Sequence, residues 1–148
     1  MGNAIGDSPH KVTGRDVLYA TNIQIVPVGD VEGHNIYLLE SKGIGFREPW
    51  GPCLIKNSET GDRTKGLGSN EGYGVSTYPD GSTITTKFKA ESTRAGSGQT
   101  GAGEGEGTYT CVRGTGKFQG IQGGGTFKYR VLGPGQWYAD WEGGYTLP

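Results

Sequence analysis

Apolar and polar residues alternate over most of this chain, in short stretches broken by Gly, Pro, Asn and Asp. Residues 19–28, YATNIQIVPV, alternate around Ile23 and Ile25 and run into GDVEG. HNIYLLES (34–41) and CLIKNSE (53–59) are the next two runs, separated by the irregular connection KGIGFREPWGP. GSNEGYGVSTY (68–78) ends in Tyr78-Pro79-Asp80-Gly81, where Pro presets φ and Asp-Gly supplies the turn. STITTKFKAEST (82–93) is β-branched and alternating, a pattern that suits a strand and not a helix. EGEGTYTCVRG (104–114), GGGTFKYRVLG (123–133) and QWYADWEGGYTLP (136–148) complete the series. This makes eight strand candidates at near-even spacing, with no amphipathic helix between them. The pattern predicts an all-β, antiparallel fold with short connections. An eight-stranded closed barrel removes exposed sheet edges, and a two-sheet sandwich is the alternative. Residues 1–18 lack clear periodicity and read as an N-terminal arm, flexible or not, ahead of a single domain over 19–148.

Residues 114–127, GTGKFQGIQGGGTF, contain six glycines. A phosphate loop needs GxxxxGK followed by Ser or Thr, then a helix. Here Phe118 follows Gly116-Lys117, Cys111 stands where the first Gly belongs, and the continuation is strand-like. GSGQTG (96–101) matches GxGxxG but also leads into no helix. A linker would have nothing to bury, yet Phe118, Ile121 and Phe127 are regularly placed. The segment therefore reads as a hairpin bent at Gly, with Phe118 and Ile121 plugging one mouth of a barrel.

The pattern GTY-x4-GTGKF-x-GI-x-GGGTF, residues 107–127, resembles the C-terminal hairpin of allene oxide cyclase-like barrels, to which dirigent proteins are also similar. The Tyr-Pro-Asp-Gly turn and the Trp-, Gly- and Tyr-rich ending fit the same plan, so the resemblance spans roughly residues 70–148. It implies an eight-stranded antiparallel barrel of calycin type with an apolar lumen, often a homo-oligomer. The superfamily includes a fatty-acid epoxide cyclase, guides of radical coupling and natural-product cyclases. The motif marks a fold, and it carries no catalytic residue over to this chain.

Side chains alternate across a strand, so the apolar member of each pair marks the inner face. This places Phe88, Phe127, Tyr129, Trp137 and Trp141 in the lumen, with Tyr109, Cys111 and Arg113 sharing a face of the sixth strand. In the fourth strand Tyr73 and Val75 share their face with Glu71. The candidate ligand-binding residues are then Phe88, Tyr109, Phe127, Tyr129, Trp137 and Trp141, each of which could equally be plain core. Glu71, Tyr73 and Arg113 are the candidate catalytic residues. A carboxylate buried among rings gains a base-like pKa, a tyrosine can donate to an oxyanion, and an arginine can anchor a carboxylate. The plainer alternatives are a solvated Glu71, a packed tyrosine and an ion-paired Arg113. His10 and His34 are isolated in sequence, and Asp62, Arg63 and Lys65 read as loop charges. No cluster has metal-ligand spacing, and no cofactor is expected.

Composition narrows the function classes. The chain has 148 residues, 30 of them Gly, with 10% aromatics and a net charge of −1. One ordered domain fits, because disordered chains are poor in aromatics and strongly charged. Near-neutrality argues against a nucleic-acid partner, and the lack of an eighteen-residue apolar run argues against a membrane span. MGNAIGDSPHKV has no apolar core and does not read as a signal peptide, although a processed secretory form with an added Met would read the same way. Cys53 and Cys111 are read as buried thiols, with a single disulfide or a reactive thiol as alternatives. The expected partner is a small apolar or aromatic molecule in the lumen. Three functions follow from it: a cofactor-free isomerase, cyclase or lyase; a carrier without chemistry; or a packed structural barrel.

Overall fold

Alternation over long stretches builds long strands, and these close on themselves. The computed structural model describes residues 9–148. Its strands are β1 (His10–Pro27), β2 (His34–Glu48), β3 (Gly51–Thr64), β4 (Leu67–Thr77), β5 (Thr83–Ala95), β6 (Ala102–Gly114), β7 (Gln122–Gly133) and β8 (Gln136–Thr146). Each pairs with its sequence neighbours, and β1 pairs with β8, giving a closed antiparallel eight-stranded barrel. The sandwich alternative is thereby ruled out. Among the described residues no helix is long and apolar enough to cross a membrane.

Two stretches without clear alternation prove to be strand. Residues 10–18 are hydrogen-bonded on both sides, from His10 opposite Tyr145 to Leu18 opposite Trp137 on β8, and from Thr13 opposite Glu48 on β2. The expected arm is corrected over this part; residues 1–8 lie outside the described residues. The period was hidden because Gly14 and Asp16 occupy inward positions between Val12 and Leu18. In β2 the pattern is inverted beyond Leu39. Ser41, Gly43, Gly45 and Arg47 take the inward places, and Ile44 and Phe46 face out. Gly43 is required there, because a Cβ would collide with the backbone carbonyl oxygen of Val17.

The two ends of the barrel differ. At one end the segment after β6 makes a 3-10 turn, Gly116–Phe118, that drives Phe118 into the lumen, where it is 1% exposed. Gly116 and Gly120 hold positive φ (59° and 82°), as Gly readily does. Trp50 and Tyr78 pack on Phe118 at 5.1 and 5.0 Å between ring centroids, Trp50 lies 4.6 Å from Tyr145, and Ile121 is buried in the same cluster. This is the plug expected from the sequence. A second buried cluster, centred on Phe88, Tyr109, Phe127 and Ala139, fills the middle of the barrel. At the other end the loop 96–101 folds over the mouth, its turns closed by Gly96 N–H to Gly101 O and Gly98 N–H to Ala102 O, both 2.9 Å.

At this open end the turn between β1 and β2 is tied to β3 through His34. Its Nδ1 lies 2.6 Å from Asp30 and its Nε2 2.6 Å from Asp62, so this histidine is not isolated in space. Hydrogen bonds to the two carboxylates raise its pKa above the ordinary 6.5. Since the folded value exceeds the unfolded one, the clamp contributes fully below about 6.5 and is lost as pH rises through the folded value. An NMR titration is expected to place the His34 midpoint above 6.5 and to lower it in Asp30→Asn and Asp62→Asn. A midpoint at or below 6.5 in the native protein would remove the clamp.

Candidate functional site

The site is built from the inward face of β3. That face begins with Cys53 and Ile55 and continues through Asn57, Glu59, Gly61 and Arg63, because side chains alternate. Register then brings two neighbours onto it: Gly61 lies opposite Tyr37 of β2 on one side and Asn70 of β4 on the other. A Cβ on Gly61 would strike the Tyr37 ring, so the glycine lets that ring lie across β3 and reach Glu59.

These side chains form one buried network. Tyr37 donates its hydroxyl to Glu59 Oε2 at 3.0 Å, and Asn70 donates Nδ2 to the same oxygen at 2.8 Å. Arg63 donates Nη2 to Asn70 Oδ1 at 3.0 Å and to the Tyr129 hydroxyl at 3.3 Å, and Nη1 to Thr100 in the mouth loop. Its guanidinium carbon lies 5.2 Å from the centroid of the Tyr37 ring. Burial pushes the Glu59 carboxyl above the usual range, against the opposing pull of Tyr37, Arg63 and Asn70. Burial also raises the Tyr37 and Tyr129 phenols, so both remain neutral donors at physiological pH.

Beside this network lies a cavity of about 80 Å³ at the open end of the lumen. Phe88, Phe127, Tyr129, Trp137 and Trp141 line it, as expected, together with Glu59, Arg63 and the loop residues Gly98–Thr100. Tyr109 faces inward too, but one layer deeper, edge-on to Trp141 at 4.9 Å and away from this cavity. Apolar walls with a few converging polar groups are the usual composition of a small-molecule site.

The three candidate catalytic residues lie outside the lumen in which the sequence pattern places them. Glu71 and Tyr73 face solvent, Tyr73 being 50% exposed. On β4 the inward places belong to Asn70, Gly72, Gly74 and Ser76, whose small side chains leave room for rings from the opposite wall. The apolar-inward rule therefore assigns that strand to the wrong face. Arg113 is also exposed. Thr85 pairs with Arg113 but Thr86 with Cys111, so Val112 is the extra residue of a β-bulge, and alternation does not carry across it. Arg63, read as a loop charge, is instead a buried lumenal residue. The signal for Glu59 and Arg63 was present in the sequence: they share the odd-numbered face that Cys53 and Ile55 mark as inward.

A second polar group sits deeper. Asp16 on β1 is 1% exposed and receives Arg47 Nε at 3.2 Å and Nη2 at 2.6 Å; Arg47 Nη1 also reaches Ser76 at 3.0 Å. This pair is internally matched and braces β1, β2 and β4. Both cysteines are free, Cys53 buried as expected and Cys111 half-buried, which overturns the disulfide alternative; burial raises both thiols. Among the described residues no group of His, Cys, Asp and Glu is arranged to hold a metal ion. No protein-family model matches this chain, and neither the curated proteins nor the solved structures contain a significant match to it.

Proposed function

We propose that this barrel binds a small apolar or aromatic molecule in its lumen, through the open end, and that it is an allene oxide cyclase-like barrel. The observation that carries the binding reading is the cavity flanked on one side by aromatic rings and on the other by the Tyr37–Glu59–Asn70–Arg63 network. A barrel packed for structure alone gains nothing from polar groups converging on an unfilled space. Homo-oligomerisation belongs to the same proposal. The exposed outer row Val17, Ile44 and Leu54, adjacent across β1, β2 and β3, supplies an apolar surface for it.

A second reading has one specific support. Glu59 is a buried carboxyl with a raised pKa in a largely apolar cavity, which is the environment of a general acid or base. On this reading the barrel is a cofactor-free isomerase, cyclase or lyase. Glu59 moves the proton, and Tyr37 or Arg63 offsets charge on the substrate, in the roles first assigned to Glu71, Tyr73 and Arg113.

Native mass spectrometry of the purified protein, with released small molecules identified after denaturation, tests both readings and gives the subunit count. A discrete apolar compound is expected in the wild type and absent in Ala139→Leu, where the larger side chain fills the cavity. Glu59→Gln is expected to retain the compound; turnover in the wild type that falls about 100-fold or more in this variant identifies an enzyme. Binding without turnover identifies a carrier. No binding of any apolar probe would leave only the packed barrel.

A further inference from the structure

We propose that the lumenal ligand is a small monocarboxylic acid with an apolar or aromatic body, its carboxylate held by Arg63; this rests on the reading of the lumen as the ligand site. A guanidinium stays protonated in a protein, and a buried charge is costly unless it is paired. Arg15, Arg47, Arg94 and Arg130 each reach a carboxylate, and Arg113 is exposed to water. Arg63 has neither: it is 5% exposed, and among the described residues it takes part in no ion pair. Its hydrogen-bond partners are the neutral oxygens of Asn70, Tyr129 and Thr100, the Tyr37 ring lies against its guanidinium, and its buried Nε has no partner in the protein.

Glu59, four residues earlier on the same face, does not close this gap. Its bonded oxygen, Oε2, is occupied by Tyr37 and Asn70, and burial biases it toward the uncharged acid. The cavity therefore carries at its polar edge a buried guanidinium with no carboxylate of the described residues within ion-pair distance. A carboxylate is the anion that a single planar arginine recognises best. A phosphate would call for further cations, and among the described residues no second Lys, Arg or His lines the cavity, whose apolar walls are formed by rings such as Phe88, Phe127, Trp137 and Trp141. At about 80 Å³ the cavity is smaller than the roughly 150 Å³ known to hold benzene, so it selects a compact body beside the carboxylate and excludes a long acyl tail.

The test uses matched acids and amides on the full chain at neutral pH: benzoate and benzamide, phenylacetate and phenylacetamide, 3-methylbutanoate and its amide, with indole and benzene as neutral probes. Affinities come from calorimetry or ligand-observed NMR. The acid of at least one pair is expected to bind about tenfold tighter than its amide or more, as a charge-assisted contact implies. Arg63→Gln, checked for folding by circular dichroism, should bring that pair to parity, with Arg63→Lys in between. If acid and amide bind alike, or only the neutral probes bind, the lumenal site stands and the carboxylate anchor falls. If no acid, amide or neutral probe binds, the lumenal site falls and the anchor with it. The wild-type comparison decides the matter even where Arg63→Gln fails to fold.

Discussion

Phe118→Ala is expected to lower the unfolding free energy by about 3–5 kcal/mol, the range for removing a fully buried phenyl ring. For a chain of this length that corresponds to a fall in melting temperature of about 10–15 °C. The size of the effect follows from how the closed end is built. Phe118 is held by Trp50 and Tyr78, and a short Gly-flanked turn places it there. With the ring gone, Trp50 and Tyr78 lose the partner they both pack on, and the segment 114–121 loses its largest buried anchor. Urea denaturation followed by tryptophan fluorescence measures the loss, and Trp50 reports the local change directly. A loss under about 1 kcal/mol would mean that the plug is not seated as described.

Arg47→Met is expected to cost about 3–5 kcal/mol at neutral pH, because it strands Asp16 as a buried, unpaired carboxylate. Even with Arg47 present, burial pushes the Asp16 carboxyl above its ordinary 3.8. Removing the guanidinium pushes it further in the same direction. A carboxyl with a raised folded pKa gives most stability below its unfolded value and loses it as pH rises through the folded value. The variant should therefore stand nearest to the wild type around pH 4 and furthest from it at neutral pH and above. Asp16→Leu combined with Arg47→Met removes both charges and is expected to recover most of the loss, to within about 1 kcal/mol of the wild type or better. Urea melts of the single and double variants at two pH values decide it. Equal stability for single and double variants, or a deficit independent of pH, would show that Asp16 is not the stranded charge.

The two polar groups of the lumen differ in what they leave unmatched. Asp16 and Arg47 satisfy one another and join three strands across the middle of the barrel. Glu59 and Arg63 do not pair directly; a neutral asparagine stands between them. The first arrangement suits a brace. The second keeps a buried acid and a buried cation both available at the edge of a cavity, and for that reason the functional proposals rest on it.

The order and type of all eight strands were legible in the sequence, because alternation and turn residues act locally. Tyr78-Pro79-Asp80-Gly81 and Gly133-Pro134-Gly135 end strands by their own backbone preferences, and β-branched runs such as 82–87 favour extended backbone wherever they occur. The plug was legible for the same reason, since large apolar residues among glycines must be buried somewhere. Phe88, Phe127, Tyr129, Trp137 and Trp141 were placed correctly as lumenal because their strands alternate large apolar with charged residues. Tertiary structure alone decided which face of β4 and of the second half of β2 points inward. In a closed barrel the wall opposite bulky side chains must carry small ones, so Asn70, Gly72, Gly74 and Ser76 went in and Glu71 and Tyr73 went out. Tertiary structure also decided the bulge that turns Arg113 to solvent, the partner that lets Asp16 be buried, and the meeting of Tyr37, Glu59, Arg63 and Asn70 from three strands. Those outcomes depend on register and closure, which are properties of strand pairs and of the whole barrel, not of any one segment.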